Sequence, residues 1–106
     1  MENKVSNRIT KEALTDMLGT YKGTDNLVSL SSGKPINNQI VTKFENGTTF
    51  TSYGTLIGAK INEKLYLTSA HCFSQTTNKY TCQWCGMSKE ERLCGISNGT
   101  ILMIEE

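Results

Sequence analysis

Three pairs of turn-forming residues, Asn46-Gly47, Asn62-Glu63 and Asn98-Gly99, constrain the fold of this chain more than any other feature. Each pair separates two stretches rich in β-branched and aromatic residues, and Asn-Gly is a strong local signal for a β-hairpin. The flanking stretches are residues 38–44 and 48–54, 55–61 and 64–69, and 91–97 and 100–106. The middle and end of the chain are therefore predicted to form a small, curled antiparallel meander.

A short helix is predicted ahead of this sheet. Thr10 can cap a helix that ends at Leu18, and Gly19 supplies the stop. Its spacing of apolar residues gives one apolar face. Residues 20–37 read as a loop with a short strand at 27–30. The predicted fold class is α+β, with one short N-terminal helix and a small antiparallel sheet. Residues 1–106 are expected to form a single domain, with residues 1–8 flexible.

Charge and hydropathy narrow the functional classes. Eleven basic and ten acidic residues give a net charge of +1, so the composition does not demand a nucleic-acid partner, although a local basic patch is compatible with it. No apolar run approaches the roughly 18 residues of a membrane helix, and the N-terminus lacks a signal-peptide core. We therefore expect no membrane partner and a location in the cytoplasm of the cell that makes the protein.

The segment Thr68-Ser69-Ala70-His71-Cys72, with Gly54–Ile57 before it, resembles the region around the catalytic histidine of trypsin-like serine proteases. The resemblance implies that His71 is a general base. In that family Cys72 would bond to a cysteine near the first stretch, where this chain has Ser52 and Tyr53. The Gly-Asp-Ser-Gly-Gly nucleophile motif does not occur in the chain. A base without its nucleophile does not make a triad, so we expect no protease activity.

A longer stretch, residues 38–82, resembles a family of small uncharacterised proteins of bacteriophages and mobile elements. Its pattern is an aromatic-x-Ser-Tyr hairpin, a Tyr-Leu strand and then Ser-x-Thr-Thr-x-Lys. The matching residues are Phe50, Ser52, Tyr53, Leu56, Ile57, Tyr66, Leu67, Ser74, Thr76, Thr77 and Lys79. The resemblance implies a phage-type origin. Small phage proteins of this size often block a host defence complex, anti-CRISPR proteins among them.

The four cysteines suggest one structural zinc ion. Cys82 and Cys85 have the spacing of a zinc knuckle, Cys94 supplies a third sulfur, and Cys72 or, alternatively, His71 completes the set. Soft ligands in a reducing compartment suit zinc. Free buried thiols are the competing interpretation.

Three residues between the second and third predicted hairpins are candidates for contact with a partner. Tyr80 and Trp84 would be interface anchors if they are exposed. Lys79 ends a hydroxyl-rich segment, residues 74–79, that we interpret as a loop and that could also contact phosphate. The sequence favours a non-enzymatic protein that binds a host protein or ribonucleoprotein complex and inhibits it. The alternatives are a zinc-stabilised nucleic-acid-binding module and, more remotely, a hydrolase that uses His71.

Overall fold

The computed structural model describes residues 8–105. In chain order the elements are β1 (Arg8–Ile9), α1 (Lys11–Leu18), β2 (Tyr21–Val28), β3 (Pro35–Phe44), β4 (Gly47–Ser52), β5 (Thr55–Ile61), β6 (Lys64–Leu67), a 3₁₀ turn (Ser69–Cys72), α2 (Gln75–Cys85), α3 (Lys89–Asn98) and β7 (Ile101–Ile104). The fold is mixed α+β, as predicted. The described residues contain three α-helices and a seven-stranded sheet, so the prediction of one helix and a small sheet was too simple. The expected flexibility of residues 1–8 concerns mainly residues outside the described range, and Arg8 belongs to β1.

The sheet has the strand order β1-β7-β6-β5-β4-β3-β2. Strands β2 to β6 form an antiparallel meander, and the hairpins predicted at Asn46-Gly47 and Asn62-Glu63 are confirmed. Asn62 and Glu63 both have positive φ, 51° and 68°, as a tight two-residue hairpin turn requires. The prediction of a loop over residues 20–37 was wrong, because Tyr21–Val28 forms the edge strand β2.

The third predicted hairpin is also wrong. Residues Lys89–Asn98 form helix α3, and β7 returns to pair in parallel with β6. Ser88 and Glu91 form a reciprocal capping box that starts the helix, and Gly99 ends it in the left-handed conformation with φ 85°. The Asn98-Gly99 pair is therefore a helix stop, and the return of the chain to β6 is a crossover.

Helix α1 covers one face of the sheet. Thr10 caps it by accepting a hydrogen bond from the Ala13 amide, and Gly19 ends it, which confirms the predicted bounds. Leu14 and Leu18 are buried. They belong to one apolar cluster, together with Ala59, Ile61, Tyr66 and Ile104.

Helices α2 and α3 cover the opposite face. Ser74 caps α2 and Gly86 ends it with φ 77°. The second cluster consists of Phe50, Ile57, Leu65, Leu67, Ala70, Trp84 and Ile101. Within it the rings of Phe50 and Trp84 stack with centroids 5.5 Å apart. A side chain at Gly58 would put its Cβ 3.3 Å from Trp84 Cζ3 and 2.5 Å from the Tyr66 carbonyl oxygen, so this strand position requires glycine.

None of the helices within residues 8–105 is long and apolar enough to cross a membrane.

Candidate functional site

Arg92 joins the three pieces of chain that cover the second face of the sheet. Its side chain is fully buried. Nε donates to His71 Nδ1 at 3.0 Å, Nη1 donates to the Met87 carbonyl at 2.9 Å, and Nη2 donates to Asn78 Oδ1 and to the His71 carbonyl. One guanidinium therefore ties α3 to the 3₁₀ turn, to α2 and to the loop between the helices. We call this set, Arg92 with His71, Asn78 and the Met87 carbonyl, the Arg92 junction.

His71 is neutral in this junction at physiological pH. Burial, together with the positive charges of Arg92 and Lys89, lowers the pKa of His71 from 6.5 to about 4. Because a guanidinium only donates hydrogen bonds, Nδ1 must be the accepting nitrogen and the proton of the neutral ring must lie on Nε2. The Nε2 atom lies 3.8 Å from Cys72 Sγ, so His71 donates toward the sulfur. In this state His71 has no free nitrogen with which to take a proton from Cys72.

The local structure explains why Thr68–Cys72 looks like a protease segment. Thr68 Oγ1 donates to the Leu56 carbonyl at 2.7 Å. The same oxygen accepts from the Ala70 amide, which turns the chain out of β6 into the 3₁₀ turn. The stretch is thus a capped exit from a strand. The likeness follows from a hairpin whose second strand is followed by a 3₁₀ turn with a buried histidine.

The predicted metal ligands lie on three different elements. Cys82 and Cys85 occupy α2 and its last turn, Cys94 is exposed on α3, and Cys72 ends the 3₁₀ turn beside His71. The predicted knuckle turn is therefore helix. His71 Nδ1 accepts from Arg92 and its Nε2 faces Cys72 Sγ, so the two alternative fourth ligands contact each other. Within residues 8–105, no three or more His, Cys, Asp or Glu side chains are grouped so as to hold a metal ion. Zinc stays a prediction from cysteine spacing, and elemental analysis of protein purified without chelator checks it.

The three predicted partner residues differ in exposure. Lys79 is exposed, and Tyr80 is half-buried beneath its ammonium group, which lies 5.2 Å from the ring centroid. Trp84 is buried in the core and its ring is covered by Lys60, whose Nζ donates to the Trp84 carbonyl at 3.1 Å. Trp84 does not meet the condition of exposure on which its role as an interface anchor rested.

Lys79 and Tyr80 line a cleft between α2 and the tip of the β2–β3 hairpin. Strand β3 pairs with β4 only over residues 39–43, so the hairpin tip extends beyond the end of β4. Gln83 Nε2 donates to the Val28 carbonyl at 2.6 Å and holds the tip against α2. The cleft has a volume of about 300 Å³. We call it the tip cleft, and its lining residues are Ser29, Leu30, Ser31, Lys79, Tyr80, Cys82 and Gln83.

Sequence reasoning missed Arg92, Asn78 and Leu30 as residues of interest. The capping box Ser88-x-x-Glu91 was available as a signal for α3, but nothing local marks Arg92 as a fully buried cation.

Leu30 is 85% exposed at the hairpin tip. Two aromatic residues, Tyr53 and Phe73, are also largely exposed, at 64% and 75%.

The comparisons with known proteins concern the same part of the chain that forms both sites. No curated protein and no solved structure matches the chain. A family model matches residues 19–98, which include every element from β2 to α3 and therefore both the Arg92 junction and the tip cleft. The chain belongs to this family, which is described as a family of unknown function (DUF8033).

Proposed function

We propose that this chain is a non-enzymatic binding protein of phage or mobile-element type that inhibits a host defence complex, in the manner of anti-CRISPR proteins. The observation that carries the proposal is the projecting β2–β3 hairpin, with the tip cleft between its tip and α2. Leu30 is 85% exposed there, beside the aromatic platform of Tyr80. Exposed apolar residues next to a rigid concavity are typical of surfaces that bind another protein.

The chemistry of the Arg92 junction supports a non-enzymatic role. His71 and Cys72 are adjacent, as a base and a nucleophile would be, but the Arg92 contact fixes the proton of neutral His71 on the nitrogen that faces the sulfur. A general base needs a free lone pair directed at the proton that it removes. The role of Arg92 is instead to hold three elements together, which makes the site structural.

Expression in bacteria with a defined CRISPR or restriction system tests the biological part of the proposal. The efficiency of plating of a targeted phage should rise when the chain is expressed, and the purified defence complex should be retained on the immobilised protein. Titration of the complex with the chain should reach full inhibition near a fixed molar ratio. Progressive loss of the partner's activity at one part of chain in a hundred would contradict stoichiometric binding.

A nucleic-acid-binding module is the second candidate, because the surface around the tip cleft carries cations without carboxylates. The segments 26–44 and 64–89 contain no Asp or Glu. Salt separates the two candidates. Affinity that depends on phosphate contacts falls steeply as salt rises, whereas affinity at an apolar protein interface falls much less. Binding of the captured partner at two salt concentrations therefore distinguishes them.

A further inference from the structure

The charge and the polarity of the tip cleft together indicate what it binds. Its two walls come from chain segments that lack carboxylates, residues 26–44 and 64–89. Lys34 in the tip loop and Lys79 on α2 are both exposed. The nearest acidic residue on β2, Asp25, lies 3.4 Å from Lys43 in an ion pair. A molecule that enters this cleft therefore meets the cation of Lys79, with a second cation, Lys34, on the loop that carries Leu30, and neither segment contains a carboxylate.

Apolar surface dominates the cleft itself. Leu30 and the ring of Tyr80 face the space together with Cys82, and the volume of about 300 Å³ is at the lower end of the range for ligand sites. Lys79 is held over the edge of this apolar space by its contact with the Tyr80 ring. The arrangement combines a pocket for one large apolar side chain with a positive charge at its rim.

We propose that the tip cleft binds an acidic protein segment that carries one large apolar side chain. The apolar side chain enters between Leu30 and Tyr80, and neighbouring carboxylates face Lys79 and Lys34. This inference rests on the proposed function and names the chemistry of the partner segment. Charge complementarity accounts for the orientation of the segment, and burial of its apolar side chain accounts for most of its affinity.

The number of cations favours a protein segment over nucleic acid. Two lysines neutralise about two phosphates, well below the roughly 6–10 phosphate contacts that make nucleic-acid binding strong and steeply salt-dependent. Bases would stack on an exposed aromatic face, but Tyr80 is half-buried and its ring already holds Lys79. An apolar anchor flanked by carboxylates uses both the apolar lining and the two charges.

Nuclear magnetic resonance of the ¹⁵N-labelled full chain tests the proposal with three blocked hexapeptides. The probe has the sequence EDFGDE, the uncharged control is QNFGNQ, and the control without an anchor is EDSGDE. We expect the amides of Leu30, Lys79 and Gln83 to shift with the probe, and both controls to bind at least about tenfold more weakly. Leu30→Ser should weaken the probe about tenfold and Lys79→Gln about threefold.

Matched variants separate the cleft from general surface effects. Leu93→Ser changes another exposed leucine, and Lys22→Gln changes another exposed lysine, so both should leave probe binding unchanged. Equal binding of the charged and uncharged peptides, shifts confined to other surfaces, or no shifts at millimolar peptide would overturn the proposal. Stronger shifts of the same amides with a single-stranded oligonucleotide at equal concentration would also overturn it, in favour of a nucleic-acid partner. If stoichiometric inhibition of a host complex persists in the Leu30→Ser and Lys79→Gln variants, the proposed function stands and only the site is wrong.

Discussion

Two basic side chains, Lys79 on α2 and Arg92 on α3, have opposite environments. Arg92 is fully buried and directs hydrogen bonds to His71, Asn78 and the Met87 carbonyl. Lys79 is exposed, and its ammonium group lies over the ring of Tyr80. A buried cation is stable only when its donors are satisfied, so the Arg92 junction is a structural centre. An exposed cation on an aromatic platform keeps its charge available to a partner. This difference is the reason that we propose the tip cleft, and not the His71–Cys72 pair, as the surface that binds a partner.

The largest expected effect comes from removing the buried cation. Arg92→Met should lower the free energy of unfolding by about 3–5 kcal/mol, because His71, Asn78 and the Met87 carbonyl lose their hydrogen bonds inside the protein. Urea denaturation measures the change. Lys89→Met, an exposed basic residue of the same helix, is the matched control and should stay within about 0.5 kcal/mol of the parent chain. A loss below 1 kcal/mol for Arg92→Met would remove the contrast between the two cations.

Acid should weaken the same junction. His71 has a pKa of about 4 in the folded chain and 6.5 as its ordinary value. The unfolded chain therefore binds the proton first, so the stabilising contribution is complete above pH 6.5 and is lost as the pH falls through 4. The lowering of the His71 pKa from 6.5 to about 4 corresponds to a contribution of about 3 kcal/mol to the free energy of unfolding. Urea midpoints at pH 7.5, 5.5 and 4 measure it. His71→Gln keeps an acceptor for Arg92 without a titrating group, and an unchanged pH profile in this variant would exclude His71 as the cause.

A smaller loss is expected from crowding the core beneath α2. In Gly58→Ala the new methyl group meets the Tyr66 carbonyl oxygen and the Trp84 ring. We expect a loss of about 1–3 kcal/mol, because a packed core resists added volume. Near-ultraviolet circular dichroism would report the displaced Trp84. Gly33 also lies in open space, but its φ of 72° would strain an alanine there, so Gly33→Ala is not a clean control. Gly23, with ordinary φ and open space, is therefore the better control, and Gly23→Ala should cost much less.

The smallest effects on stability are expected at the tip cleft. Leu30→Ser and Lys79→Gln alter exposed side chains, so each should change the free energy of unfolding by less than about 0.5 kcal/mol. Thermal denaturation measures both. The same variants are expected to weaken partner binding, which separates function from folding. A loss of several kcal/mol would show that the hairpin tip is part of the structural centre and would weaken the distinction between the two regions.

The sequence alone determined the parts of this fold that depend on neighbouring residues. Thr10 and Gly19 fixed the bounds of α1, and the turn pairs at Asn46-Gly47 and Asn62-Glu63 fixed two hairpins, because caps and tight turns are set by local backbone geometry. The same kind of signal was available for α3 in Ser88 and Glu91. The β-branched and aromatic residues of 74–85 and the glycine at position 95 weighed against helix, since propensities are a weak guide where packing decides.

Only the tertiary structure decided what those helices do. Gly95 disfavours helix by its propensity, yet α3 needs a glycine there. Ile101 packs where a Cβ would be, and its Cδ1 lies 2.6 Å from that position. His71 and Arg92 are 21 residues apart, yet they share a hydrogen bond that turns a protease-like segment into a structural contact. The burial of Trp84 and the exposure of Leu30 likewise depend on how the hairpin and α2 pack. Burial and hydrogen bonding between distant residues arise from the packed chain as a whole, and no local pattern encodes them.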